Sequence, residues 1–138
     1  TASGMRVLGI DYGDKKIGLA FGDSDAQLAV PLDVVPNLGA ETIRVFSERV
    51  DADAIDVIVV GVPLATGTHH GPQQLAKTQA FIHALQQVVS VPIMQEDESY
   101  TTAESIRLQK EEGTKVQEDA LAAMFILQGY FNRRQANE

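Results

Sequence analysis

The hydrophobic positions of this chain form short apolar runs in its first half and helical spacings after them. Apolar runs at residues 7–10, 17–22 and 28–35 are separated only by short polar turns, which predicts three consecutive strands. Pro31 inside the third run favours an edge strand, where a missing N–H is tolerated. The β-branched run at residues 56–61 predicts a fourth strand, and residues 91–94 predict a short fifth one.

Helical spacing appears between and after these runs. Apolar residues recur at helical intervals over residues 40–50 and 73–89, with a polar loop predicted at 63–72 and an acidic loop at 95–100. Thr101-Thr102-Ala103-Glu104 matches a capping box and predicts a helix from about Thr102 to Gly113. A final helix should begin at Glu118 or Asp119 and end near Phe131.

The predicted order is β-β-β-α-β-α-β-α-α, which describes an α/β fold with a mixed five-stranded sheet and helices on both faces. This order matches the ribonuclease H-like fold, whereas a plain doubly wound fold would begin with β-α-β. No G-x-G-x-x-G follows the first strand, so a dinucleotide site is not expected.

Three carboxylates fall at the ends of predicted elements. Asp11 follows the first strand, Glu98 follows the last strand, and Asp119 opens the last helix. The carboxyl ends of parallel strands form the usual ligand crevice of such a sheet, and a helix start packed over it would bring in the third group. Carboxylates that meet there would repel one another unless hard divalent cations such as Mg²⁺ or Mn²⁺ bound between them.

Each carboxylate also has a simpler structural explanation. Asp11 could be a turn residue, Glu98 could be a solvated surface group, and Asp119 could stabilise the helix dipole. Their joint placement at one edge of this topology favours the functional interpretation.

Composition agrees with one domain of 138 residues and 14.9 kDa, of which 1–4 are interpreted as a cloning remnant and 5–138 as the native domain. The chain has no cysteine, which excludes a disulfide scaffold, a thiolate metal site and a cysteine nucleophile. Its apolar runs are too short to span a membrane, so we expect a cytoplasmic protein.

Charge is the main argument against a nucleic-acid partner. Nineteen acidic residues and 11 basic ones give a formal net charge of −8, whereas phosphate-binding proteins usually have a basic surface. Two bound divalent cations would add four positive charges where a phosphate must lie. We therefore expect weak, salt-sensitive binding that depends strongly on metal.

Four segments resemble one known family. Residues 8–20, with Asp11-Tyr12-Gly13, Lys16-Ile17-Gly18 and Ala20, are similar to the opening motif of the YqgF/RuvX family, which comprises Holliday-junction-resolvase-like proteins also described as pre-16S rRNA nucleases. Val60-Gly61-Val62-Pro63-Leu64, Asp97-Glu98 with Thr101-Thr102, and the helix that opens at Asp119 resemble the family's three later motifs, in the same order.

The resemblance implies a ribonuclease H-like nuclease in which Asp11, Glu98 and Asp119 are the catalytic, metal-binding residues for two Mg²⁺ or Mn²⁺ ions. The implied substrate is structured nucleic acid, either a Holliday junction or the 5′ end of pre-16S rRNA in ribosome biogenesis. Ribosome-assembly intermediates are possible partners, and the protein would act as a monomer or a homodimer.

Substrate contacts are expected from Lys15 and Lys16 on the first hairpin, from Thr68 in the polar loop, and from Lys115 before the last helix. The family usually has Arg after the loop Glu and a longer basic loop before the last Asp, but this chain has Ser99 and only Lys115 there. Arg133-Arg134 could add a small contact from a frayed tail.

Two other functions fit parts of the sequence. The missing basic residues favour a non-catalytic nucleic-acid or ribosome-assembly binding module on the same fold. Asp11-Tyr12-Gly13 alone would also fit an actin-like ATPase, but such proteins need two domains of this kind and 138 residues supply one.

Overall fold

A computed structural model describes residues 4–63, 71–97 and 118–136 of the chain. Five strands form one sheet in the order β3-β2-β1-β4-β5. The strands are β1 Arg6–Asp11, β2 Lys16–Asp23, β3 Leu28–Pro36, β4 Val57–Val62 and β5 Ile93–Asp97. The first three strands pair antiparallel, while β4 and β5 continue the sheet parallel to β1, so the predicted mixed sheet is confirmed.

Three helices are described: α1 Ala40–Ala52, α2 Gly71–Gln86 and α3 Glu118–Ala136. They lie on both faces of the sheet, as the pattern predicts. The helix predicted from Thr102 to Gly113 lies outside the described residues. Within the described part of the chain, no helix is both long and apolar enough to cross a bilayer.

The last strand and the last helix are longer than predicted. Residues 95–97 belong to β5 and not to an acidic loop, because Gly61↔Glu96 and Val62↔Asp97 extend its parallel ladder with β4. The polar side chains of residues 95–97 gave no strand pattern in the sequence, whereas the pairing of this strand end is made by backbone groups. Helix α3 likewise continues beyond Phe131 to Ala136, so Arg133 and Arg134 are helical and do not lie in a frayed tail.

Alternation along the strands divides the core into two halves. Leu8 and Ile10 face α1 and α2, where the buried cluster includes Phe46 and Phe81. Val7 and Val59 face α3 and pack with Leu127 and Phe131. The interior strands are apolar on both faces, as expected for strands covered by helices on each side.

Helix α3 lies unusually close to the sheet because glycines face it. A Cβ on Gly9 would lie 2.9 Å from the Cβ of Leu127, and one on Gly22 would lie 2.6 Å from the ring of Phe131. The closest approach is at Gly18, where a Cβ would lie 2.0 Å from the carbonyl oxygen of Asp119. The first turn of α3 therefore rests on the backbone of β2.

Replacing Gly18 with alanine tests this contact. The added methyl group would overlap backbone atoms of Asp119, so the start of α3 must move away from the sheet. We expect Gly18→Ala to lower the free energy of unfolding by about 2–3 kcal/mol, the upper part of the range for overpacked cores, because the overlap is with backbone atoms. Urea denaturation measures the loss, and NMR amide shifts should locate the displacement around Asp119 and Ala120.

Gly39→Ala is the matched control. Gly39 has a φ of 68° and no atom within 4 Å of an added Cβ, so alanine there should cost about 1–2 kcal/mol through backbone strain alone. Its shift changes should stay near the start of α1. If Gly18→Ala left the amide shifts of α3 unchanged, the contact would not position this helix.

Candidate active site

Asp11 is the last residue of β1 and lies on the face that α3 covers. The alternation of β1 places Gly9 and Asp11 on this face, and Gly9 is in contact with α3. The next residue, Tyr12, points to the other side, where its ring lies 4.6 Å from that of Phe81 in α2. Tyr12 therefore packs against α2, on the side of the sheet opposite to the face of Asp11.

Asp119 reaches the same place from α3. Gly18 of β2 is paired with Asp11 across the antiparallel ladder, and the backbone of Asp119 rests on Gly18. Paired residues on neighbouring strands have Cα atoms only about 5 Å apart. Asp11 and Asp119 are therefore both neighbours of Gly18, although 108 positions separate them in the sequence.

Lys16 supplies positive charge at this edge. Its Nζ lies 3.8 Å from Oδ2 of Asp119, and both side chains are partly exposed. An exposed pair at this distance contributes little to stability, about 0–1 kcal/mol. The pair matters for the site and not for stability, because it shows that the carboxylate of Asp119 attracts the ammonium group of Lys16 at this edge of the sheet.

The turn that carries Lys15 and Lys16 is held from two sides. Asn37 donates a side-chain hydrogen bond of 2.9 Å to the carbonyl oxygen of Gly13. From α2, Nζ of Lys77 lies 3.3 Å from Oδ2 of Asp14. Lys77 adds a cation that the sequence alone did not single out, because only the packing of α2 brings it beside the hairpin.

The carboxylates partly fit the predicted metal site. Asp11 and Asp119 offer hard oxygen donors on one face, which suit Mg²⁺ or Mn²⁺. Within the described ranges, no group of three or more potential ligands lies together. The third predicted ligand, Glu98, follows the end of β5 directly but lies outside the described residues, as do Thr68 and Lys115.

The buried carboxylate of Glu96 is a feature that sequence reasoning missed. Glu96 in β5 is only 4% exposed and lies 3.4 Å from Nη1 of Arg133 in α3. Burial raises the pKa of Glu96, while Arg133 opposes that rise. The pair ties the end of β5, from which the chain continues to Glu98, to the helix that carries Asp119.

Comparison with known proteins shows the family of this chain. Residues 5–133 match the family model described as "RuvX: Holliday junction resolvase". The chain belongs to the RuvX family. Two relatives, from Chloroflexus aggregans and Desulforudis audaxviator, are each named "Putative pre-16S rRNA nuclease" and are each 34% identical to it. The alignments cover 93% and 96% of this chain and 94% and 97% of those relatives.

Solved structures confirm the fold of this RuvX-family chain. It resembles Thermus thermophilus RuvC bound to a Holliday junction, with a TM-score of 0.57, 18% identity, and coverage of 95% of this chain and 96% of that one. It also resembles the fowlpox virus resolvase in complex with junction DNA, with a TM-score of 0.59, 14% identity, and coverage of 94% and 99%. At these identities the likeness establishes the ribonuclease H-like fold alone.

Removing Arg133 tests the tie between β5 and α3. In Arg133→Met the buried carboxylate of Glu96 loses its counter-ion, so the RuvX-family protein should lose about 1–2 kcal/mol of stability at pH 7. This loss lies between the losses of stability that are typical when an exposed ion pair and a buried ion pair are broken. The loss should shrink as the pH falls through the raised pKa of Glu96 and be smallest below its ordinary value of 4.5, because neutral Glu96 needs no cation.

The double variant Arg133→Met with Glu96→Gln is the control, because it has no buried charge to compensate. It should be more stable than Arg133→Met alone at pH 7 and should not share its pH dependence. Urea denaturation at pH 4 and pH 7 measures both effects. An equal loss for the single variant at both pH values would contradict the assigned role of Glu96.

Proposed function

We propose that this RuvX-family protein is a Mg²⁺- or Mn²⁺-dependent endonuclease that hydrolyses phosphodiester bonds in structured nucleic acid. The observation that carries the proposal is the meeting of Asp11 and Asp119 beside Gly18, at the carboxyl end of a parallel strand in a nuclease fold. Their position agrees with the roles that the family resemblance implies for them.

The proposed ligands are Asp11, Glu98 and Asp119, with Asp11 shared between two ions. Bound divalent cations would activate water and stabilise the leaving oxygen in an in-line displacement. Lys16 holds the Asp119 carboxylate from the solvent side. Lys15 and Lys16 would contact the substrate backbone beside the scissile phosphate, with Thr68 and Lys115 as further contacts.

Lys77 fits the same role as a reserve of positive charge. Its partner Asp14 is about half exposed, so exchange of that carboxylate for a substrate phosphate requires little desolvation. The cations next to the site are therefore held in place by exposed carboxylates that a substrate phosphate of equal charge can replace.

The names of similar proteins indicate two substrates. Relatives at 34% identity are named for pre-16S rRNA, and a neighbour of the same fold is bound to a Holliday junction. We propose structured RNA or branched DNA as the substrate class, with processing in the cytoplasm. Symmetric cleavage of a four-way junction would need a homodimer with two active sites, whereas trimming an rRNA end would not.

A non-catalytic binding module is the competing function, and one observation favours it. Ser99 occupies the position after Glu98 where the resemblance leads one to expect Arg, which removes a charge that could bind phosphate. Such a module would bind RNA or DNA without turnover at any metal concentration.

Substitution of Asp11 separates the two functions. Asp11→Asn keeps the side-chain size but removes the charge of the shared ligand, so cleavage of a labelled four-way DNA junction and of a 16S-precursor RNA should fall at least about 100-fold in Mn²⁺. The measurement is the single-turnover cleavage rate with and without metal.

Asp51→Asn is the matched control, since Asp51 is an exposed carboxylate at the end of α1. Its rate should equal that of the wild type. Cleavage that persists in Asp11→Asn would overturn the assignment of the site, and binding without any wild-type turnover would establish the binding module instead.

Metal binding can be measured apart from activity. We expect wild type to bind two Mn²⁺ ions per chain in an electron paramagnetic resonance titration and to gain thermal stability with Mn²⁺, because binding relieves carboxylate repulsion. Asp119→Asn should retain the site held by Asp11 with Glu98 and lose the site held by Asp11 with Asp119. Identical stoichiometry and affinity in the two proteins would remove Asp119 from the ligand set.

A further inference from the structure

The last turns of α3 carry two neighbouring arginines with different surroundings. Both side chains are exposed and both belong to a regular helix. Arg133 is committed to the buried carboxylate of Glu96, 3.4 Å away. Removing Arg133 would leave that carboxylate without a counter-ion, so the main role of this guanidinium is to stabilise the folded protein.

Arg134 has a different partner. Its Nη1 donates a hydrogen bond of 3.1 Å to Oη of Tyr130, and its guanidinium carbon lies 5.5 Å from the centre of that ring. Tyr130 is only 7% exposed, so it is a fixed support. Among the described residues, no carboxylate lies within ion-pair distance of Arg134, whereas Arg44 has two such partners and Lys16, Lys77 and Arg133 have one each.

A cavity of about 210 Å³ lies beside this guanidinium. The cavity is lined by Met94, Gln95, Glu96, Tyr130, Arg133 and Arg134. Arg133 compensates the one buried carboxylate there, so an anion that enters the cavity meets the charge of Arg134. Preorganisation of that side chain on Tyr130 reduces the entropy lost when it binds.

We propose that the C-terminal end of α3 is a second contact site for the phosphodiester backbone of the substrate, and that Arg134 makes the contact. This inference rests on the proposed function, because it takes nucleic acid as the ligand. Arginine suits the role, since its planar guanidinium can donate two parallel hydrogen bonds to one phosphate.

The distance along α3 between Asp119 and Arg134 predicts how far the second contact lies from the candidate active site on the substrate. Asp119 and Arg134 are 15 residues apart, which corresponds to about 22 Å along a helix at 1.5 Å per residue. A duplex advances about 3.4 Å per base pair, so the two ends of α3 are about six to seven base pairs apart on that scale. A segment longer than this is needed to reach both ends.

Helix-dipole stabilisation is the simpler explanation for two arginines in a last turn. It accounts for their sequence position, but it requires neither the fixed support of Tyr130 nor the absence of a carboxylate partner among the described residues. It also predicts that loss of Arg134 lowers stability and leaves nucleic-acid affinity unchanged.

The salt dependence of binding tests the proposal. The probe is a fluorescein-labelled 20-base-pair DNA duplex, measured by anisotropy with Ca²⁺, whose irregular coordination can fill a carboxylate site without the octahedral geometry of Mg²⁺. Loss of one phosphate contact lowers the slope of log affinity against log salt by about 0.9. Wild type should therefore lose about 3.5-fold more affinity than Arg134→Met between 50 and 200 mM salt.

Two controls accompany Arg134→Met. Arg44→Met removes the same charge from α1, where Glu41 and Glu48 already neutralise it, and should keep the wild-type slope. Arg134→Lys keeps the charge and should also retain the slope. The melting temperature of Arg134→Met should match wild type, which excludes a purely structural effect.

The results for Arg134 and the results for cleavage test the second contact and the nuclease function independently. An unchanged slope in Arg134→Met, an equal change in Arg44→Met, or no measurable wild-type binding would overturn the second contact. Metal-dependent cleavage that needs Asp11, found together with an unchanged slope, would leave the proposed function standing alone. A reduced slope without any cleavage would support the contact and reject the nuclease.

Discussion

The contact between the first turn of α3 and Gly18 is the constraint on which the candidate site depends. A side chain at position 18 would overlap the backbone of Asp119, so the helix can begin there only because glycine has no Cβ. The same glycine is paired with Asp11 in the ladder. Backbone packing, and not attraction between side chains, therefore places Asp11 and Asp119 beside the same glycine.

Charge pairing explains how an acidic protein can present cations to a phosphate. The net charge of −8 is spread over the whole chain, whereas Lys16 and Lys77 are held by Asp119 and Asp14 at the edge of the sheet. At the far end of α3, Arg133 compensates the buried Glu96 and leaves Arg134 to face solvent. The positions of these cations matter more than their number, because exposed charges are screened within about 10 Å.

Gly9, Gly18 and Gly22 connect the fold to the chemistry. They lie on one face of β1 and β2, the face that α3 covers. A strand with several glycines normally has weaker packing, but here it gains close contact with a helix whose residues 120–131 are mostly apolar. The spacing of glycines in the first hairpin therefore indicates that a helix packs closely on this face, but it does not indicate which helix.

The sequence by itself determined the order of the described strands and helices along the chain, a mixed sheet covered on both faces, and the positions of Asp11 and Asp119 at the ends of elements, because alternation and helix starts are local properties of the chain. It missed the end of β5, the last turn of α3, the Glu96–Arg133 pair and Lys77 beside Asp14. Each of these depends on contacts between residues 37 to 63 positions apart, or on backbone pairing that side-chain pattern does not report. Only the tertiary structure decided which polar residues would meet, since pairing across such separations is set by how helices pack on the sheet.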